Sequence, residues 1–181
     1  MDEIRRIDRK LMYSGTILNI YDDLMEDAEG HQMHWDFVSH RMGAASVLPV
    51  MEDGSLLLVR QYRPAVELDS LEIPAGARDS LEEDFKDCAA RELEEETGYR
   101  AEKIEFLVRI VTTPAFCNED LMIYLATDLK PGVQHLDEEE HLTVERHSLE
   151  EALQMIFSQE IRDSKTVAAI LAYACKKRGL S

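Results

Sequence analysis

Cysteine, tryptophan and proline are scarce in this chain of 181 residues, which has three Cys, one Trp and five Pro. Cys88, Cys117 and Cys175 are an odd, widely spaced set with no CxxC pair, which excludes a disulfide-stapled miniprotein, suggests no zinc site and suits reduced thiols in a cytoplasmic compartment. Basic residues are also few. Lys and Arg number 20 against 37 Asp and Glu, a net of −17, and a field of that sign repels nucleic-acid backbones and anionic membranes. No apolar run approaches the roughly 18 residues of a membrane span, and the opening MDEIRRIDRK carries charges where a signal peptide needs an apolar stretch. Repeats and low-complexity tracts are missing, so disorder and fibres are excluded. What remains is a folded chain of about one domain, expected in the cytoplasm and without nucleic-acid or membrane partners. An anionic small substrate stays open if local Arg side chains or divalent cations offset the field.

Turn signals then divide the chain. GTILNIYDDLMED and QMHWDFVSH read as strands around AEGH, and GAASVLPVM and SLLLVRQY as strands around EDG. Strand-like runs recur at 102–112 and 120–127, and the last third turns helical, with Ser148 and Glu151, then Asp163 or Ser164, as N-terminal caps and Gly179 as a stop. Between these lies a helix over 80–98, opened by a Ser80 and Glu83 capping box and closed by Gly98. At roughly 100° per residue, Leu81, Phe85, Cys88, Ala89 and Leu93 form one apolar arc that also contains Glu92 and Glu96. Carboxylates one turn apart on a core-facing stripe repel each other and cost several kcal/mol of desolvation unless paired, so a cation such as Mg²⁺ or Mn²⁺ is the natural compensation. The alternative is a solvated acidic helix end formed by Glu92, Glu94, Glu95 and Glu96. It conflicts with the helix dipole, which disfavours each carboxylate there by a few tenths of a kcal/mol.

Gly76, Glu83 and ARELEEETGY together resemble the Nudix box, Gly-x5-Glu-x7-Arg-Glu-U-x-Glu-Glu-x-Gly-U with U an aliphatic or aromatic residue. From Glu83 onward, Arg91, Glu92, Leu93, Glu95, Glu96, Gly98 and Tyr99 all keep the spacing, while Gly76 stands one residue too far upstream. An insertion in the turn before the helix is the reading of that departure. VRQYRPAV, LEIPAG, GAASVLPV, DSKTVAAILA and Pro114, sixteen residues after Gly98, are similar to the ADP-ribose pyrophosphatase branch of the family.

The resemblance implies an α+β fold: the Nudix fold, an α/β/α sandwich with a mixed β-sheet over residues 46–181, plus an N-terminal antiparallel β region over 1–45. That region is expected to pair across a homodimer and complete an adenosine pocket. It also implies that Glu92 and Glu96 bind Mg²⁺, with Mn²⁺ as substitute, together with Glu95 and the carbonyl of Ala75, while Arg91 orients Glu92. Arg60 and Arg63 are read as sharing a face of a strand that Pro64 ends, with Arg63 the phosphate-binding candidate and Arg60 a second substrate contact. Pro114 marks the substrate-binding loop. Trp35 either stacks on adenine or packs in a core or subunit interface. The family needs a general base on a loop after the box, and HLDEEEHLTV supplies Asp137, Glu138, Glu139 and Glu140. Glu138 is the first choice and Glu140 the second, because the two share one side of an extended segment and Glu139 faces the other way. The activity implied is metal-dependent hydrolysis of a nucleoside diphosphate sugar, ADP-ribose and water giving AMP and ribose 5-phosphate. A GDP-hexose pyrophosphatase and a non-catalytic Nudix-fold nucleotide-binding regulator are the alternatives.

Overall fold

A computed structural model describes residues 4–136 and 140–180. The chain divides into two compact units, one made of the residues up to Gly43 together with Val111–Asp120, the other of Ala44–Ile110 and the residues from Leu121 onward.

In the first unit β1 (Arg5–Ser14), β2 (Leu18–Glu26) and β3 (Gln32–His40) form an antiparallel sheet in that order. The β2–β3 register runs unbroken from Leu18 opposite His40 to Glu26 opposite Gln32. Its turn is tied by Asp27, whose Oδ1 accepts the N–H groups of Glu29 and His31 at 2.9 Å each, while Gly30 takes the φ of 87° the reversal needs. Hydrophobic alternation did not reveal β1, because five of its ten residues are charged and bulges interrupt it after Arg6 and Leu11. Cross-strand charge fixes it instead. Arg5 meets Glu26 at 2.7 Å, and Arg9 forks both oxygens of the buried Asp23 at 2.6 Å while lying over the Phe37 ring. Val111–Asp120 joins this unit by bonding to β3, the Phe116 carbonyl accepting from Val38 N–H at 2.7 Å and Asn118 Oδ1 from His40 N–H at 2.8 Å.

The second unit is the expected α/β/α sandwich, with two sheets where the sequence suggested one. β4 (Ala44–Pro49) runs antiparallel to β7 (Ala75–Ala77) and parallel to β9 (Asp120–Pro131), with β8 (Tyr99–Val111) beyond β9. Every residue of β4 is buried, so its side chains divide between two cores. Ala45 and Val47 pack on Cys88, Ala89 and Leu93 of α1 (Phe85–Thr97), whereas Ala44 and Leu48 face Leu149 and Ala152 of α2 (Leu149–Phe157) and Ile170 of α3 (Ser164–Lys177). A separate antiparallel sheet places β5 (Leu56–Arg63) between β6 (Leu68–Glu72) and β10 (Leu142–His147). No helix among the described residues is long and apolar enough to cross a membrane.

The start of α1 corrects the sequence reading. Asp84, not Ser80, is the N-cap, its Oδ1 accepting Lys86 N–H at 2.8 Å, and Leu81 is 62% exposed in the preceding turn instead of lying on the apolar arc. Glu83 does not close a capping box because its carboxylate is engaged elsewhere, with Asp79 N–H at 2.7 Å and Arg91 at 3.1 Å. That turn absorbs the additional residue between Gly76 and the helix. The other end is as read, with Gly98 at φ 72° donating to Glu94 O at 2.8 Å. Ser148 and Glu151 form the full capping box of α2, and Asp163, not Ser164, caps α3.

Gly98 and Gly54 both hold positive φ, but a Cβ on Gly98 would stand 3.1 Å from the backbone N of Gln134 while one on Gly54 meets nothing within 4 Å. Gly54→Ala is therefore expected to cost about 1 kcal/mol of left-handed strain, and Gly98→Ala about 2–3 kcal/mol. Urea unfolding of the two variants checks this, and equal losses would remove the steric part of the argument.

Candidate active site

Glu92 and Glu96 leave α1 on the side packed against β4 and β7, and they are 7% and 3% exposed. The strand opposite makes room for them. A Cβ on Gly76 would fall 1.9 Å from Glu92 Oε1, so only glycine lets β7 approach the helix this closely. Glu96 accepts a hydrogen bond from Ala75 N–H, but its Oε2 is buried with no partner. An orphaned carboxylate oxygen beside a second buried carboxylate is a donor set for a hard divalent cation. Glu95, on the next helix position, is half-exposed, and Cys88 Sγ lies 3.7 Å from the Gly76 carbonyl.

Arg91 is the one cation in direct contact with this group among the described residues. Its Nη1 reaches Glu92 Oε1 and Glu95 Oε2 at 2.8 Å each, Nε reaches Glu83 at 3.1 Å, and Nη2 reaches the Ala77 carbonyl at 3.0 Å. One guanidinium thereby ties helix, preceding turn and β7 together. Burial opposes its charge, but Glu83, Glu92 and Glu95 push its pKa further above the usual arginine value. It does not neutralise the pair. Burial, partly offset by Arg91, pushes Glu92 up to about 7, and burial together with the charge of Glu92 pushes Glu96 up to about 8. Burial pushes the Cys88 thiol up to about 12, which makes it an inert core thiol.

Glu140 acts on the Glu92–Glu96 pair through its charge. Its charge raises the pKa of both Glu92 and Glu96, and it lines a cleft of about 540 Å³ with Arg60, Tyr62, Asp69, His141 and Thr143. Glu138, with Asp137 and Glu139, lies outside the described residues. Arg60 and Arg63 do not share a face. The register of β5 is continuous, and an odd separation of three sends the two side chains to opposite sides. Arg60 is held by Glu145 at 2.5 Å and Glu160 at 3.3 Å. Arg63 forks the buried Glu72 at 2.9 and 2.7 Å and lines a cleft of about 660 Å³ with Ser70, Glu72, Arg162 and Lys165. Trp35 and Pro114 lie in the other unit, Trp35 47% exposed on β3 opposite Asp23 and Pro114 exposed in the Val111–Asp120 segment. A second set of ligand atoms, from Asp27, Glu29 and His31, gathers within 4.8 Å on the β2–β3 turn. Asp27 already spends its oxygens on the turn, with His31 Nδ1 at 3.0 Å, so that set is a turn lock.

The model of the NUDIX domain matches residues 40–170. This chain belongs to the NUDIX family. It is 36% identical over 170 residues to an ADP-ribose pyrophosphatase of Bacillus subtilis (strain 168), across 93% of this chain and 91% of that protein. A methanol dehydrogenase activator of Bacillus methanolicus is likewise 36% identical over 170 residues, again 93% and 91% of the two chains. The crystal structure of an ADP compounds hydrolase superposes with a TM-score of 0.87 over 99% of this chain and 97% of that one, at 22% identity, which is a likeness of fold.

Within this Nudix domain the residues that sequence reasoning missed are Glu72, Lys165 and Thr166. Glu72 is 2% exposed and takes Arg63 on one side and Lys165 Nζ at 2.5 Å on the other. Against burial, those two cations hold its carboxyl down at about 2. LEIPAG and DSKT stood out as segments of the resemblance, but no spacing rule joins positions 93 residues apart.

The box carboxylates set a pH dependence. Both have folded-state pKa values above the usual carboxylate value, so the stability tied to their neutral forms is complete below about 4.5 and is lost as pH rises through about 7 and 8. The metal-free protein is therefore expected to lose on the order of a few kcal/mol between pH 5 and 8.5. Glu96→Gln should flatten that profile, and Mg²⁺ should raise the melting temperature more at pH 8 than at pH 5.5. Thermal melts at fixed ionic strength check both, and a wild-type profile that is level across this range would contradict the assignment.

Proposed function

We propose that this Nudix hydrolase cleaves the pyrophosphate of a nucleoside diphosphate sugar, ADP-ribose and water giving AMP and ribose 5-phosphate, with Mg²⁺ or Mn²⁺ as cofactor. The observation that carries the reading is the buried Glu92–Glu96 pair under Gly76, with one carboxylate oxygen left unbonded. Those two residues, with Glu95 and the Ala75 carbonyl, would hold the divalent cation, which when bound offsets the substrate's charge, polarises the phosphoryl oxygens and makes water more acidic. The preference for ADP-ribose over a GDP-hexose draws on the 36% identity to the Bacillus subtilis ADP-ribose pyrophosphatase.

The chain's own groups then divide the work. Arg91 keeps the Glu92 carboxylate oriented towards β7 through its 2.8 Å bond. Arg63 sits in a cleft with Arg162, Lys165, Glu72 and Asp163 and offers charge to a phosphate oxygen. Glu140 takes the proton of the attacking water at its carboxylate. It stands near enough to the pair for its charge to act on both members, and it is not itself a cation ligand in this scheme. The antiparallel unit, which leaves Leu11, Tyr13 and Trp35 at 52%, 61% and 47% exposure, is read as the dimerising part of a cytoplasmic homodimer, with Trp35 and Pro114 contributing to the nucleoside pocket.

Chromatography of products from a panel of ADP-ribose, GDP-mannose and NADH with Mg²⁺ is expected to show AMP and no free ADP from ADP-ribose, and the highest kcat/KM for that substrate. Highest activity on GDP-mannose would move the assignment to the other nucleotide sugar, and no turnover of any of the three would favour a binding module. Glu140→Gln should lower kcat by about 10²–10⁴-fold with little change in substrate Kd. A silent Glu140→Gln beside a damaging Glu138→Gln would transfer the role of base to Glu138.

A further inference from the structure

The backbone that faces Glu92 and Glu96 is not held by β4 alone. Ile73 stands two residues before Ala75, and its N–H donates to Thr166 Oγ1 at 2.8 Å, both residues being fully buried. Thr166 is itself fixed, Oγ1 donating to Asp163 Oδ2 at 2.6 Å and its N–H to the same oxygen at 2.9 Å. Lys165, on the same turn of α3, places Nζ 2.5 Å from Glu72 Oε2 and 3.1 Å from Asp163 Oδ2 with only 13% of its side chain exposed. The first turn of α3 therefore grips two consecutive residues, Glu72 and Ile73, through polar bonds made in the interior.

Little slack separates that grip from Ala75 and Gly76. Pro74 has a fixed φ and its carbonyl accepts Val47 N–H at 3.0 Å, and the next residue, Ala75, donates its N–H to Glu96. A shift of Ile73 is thus passed to the strand that Glu92 nearly touches. Apolar packing by Ala169 and Ile170 already docks α3 on the core, so docking alone does not call for the part-buried Asp163 and Lys165 beside the buried Thr166.

We propose that Lys165 and Thr166 are positioning residues for the divalent-cation site, acting through Glu72 and Ile73 to fix Ala75 and Gly76 against Glu92 and Glu96. This inference rests on the reading of that site given under the proposed function. Groups that orient metal ligands from behind typically change metal affinity by about 10–100-fold when removed. The test is titration of the metal-free full chain with Mn²⁺ alone, followed by electron paramagnetic resonance of the free ion, beside thermal melts of the same samples. Thr166→Val and Lys165→Met should each weaken Mn²⁺ binding by about 10–100-fold, and Thr166→Ser, which keeps the hydroxyl, should restore it. Ile170→Val serves as the control for simple loss of core packing and should lower the melting temperature without changing Mn²⁺ affinity. If Thr166→Val and Lys165→Met bind Mn²⁺ like the wild type, or lose no more than Ile170→Val, α3 is only a structural prop and the proposal falls. Should Thr166→Val fail to fold, Lys165→Met decides alone. If Glu96→Gln binds Mn²⁺ as well as the wild type does, the cation-site reading itself is wrong, and that failure is distinguishable because it appears with α3 intact.

Discussion

Burying two carboxylates side by side on one helix face is the constraint that organises the second unit. Each such group costs several kcal/mol to take out of water, and neighbours of like charge add to that cost. The chain answers with geometry as well as with charge. Gly76 removes a side chain where Glu92 comes closest, Ala75 turns its N–H to Glu96, and Arg91 spans Glu83, Glu92, Glu95 and the Ala77 carbonyl. The compensation is left incomplete, because Glu96 Oε2 has no partner.

Glu72 shows what completion looks like. It is as buried as Glu96, at 2% against 3% exposure, yet its carboxyl is held down at about 2 while that of Glu96 is pushed up to about 8. Only the neighbours differ. Arg63 and Lys165 both reach Glu72 within hydrogen-bond distance, whereas no side-chain cation bonds to Glu96 among the described residues. A buried acid paired with two cations is balanced within the chain. One left with an unbonded oxygen keeps its proton to a higher pH, and its ionised form has no cation within the described residues to bond to it.

The antiparallel unit follows a different rule, in which charge supplies the register. β1 lacks an apolar alternation, and its position on β2 is set by Arg5 on Glu26 and Arg9 on Asp23, helped by stacking of the Arg9 guanidinium on Tyr21 and Phe37. In a chain with a net charge of −17, the three arginines of β1 are matched locally on β2, Arg5 by Glu26 and both Arg6 and Arg9 by Asp23.

By itself the sequence determined whatever depends on short spacing. Glu92 and Glu96 fall on the apolar arc because 3.6 residues make a turn, the β2–β3 hairpin follows from the turn at Gly30, and Gly98 ends α1 because a left-handed residue is needed there. The hairpin suggested around Gly54 is instead a turn between strands of separate sheets, β4 and β5, joined by the single bridge of Val50 to Leu56. The box pattern named the family for the same reason, since its fixed positions lie within one helix and its approach. The helix start was misread because Ser80 and Glu83 fit a capping box locally, and only the folded chain shows Glu83 taken by Arg91 and Asp79 N–H. Arg63 was legible as a functional candidate but not as the partner of Glu72. The polar clamp of Thr166 and Lys165 on Ile73 and Glu72 was not legible at all. Those contacts join residues 93 apart in the chain, and local propensity carries no information about which distant N–H or carboxylate a side chain will meet. Tertiary structure decided them, because a buried donor or charge must find its partner wherever packing of α3 against the strands happens to place one.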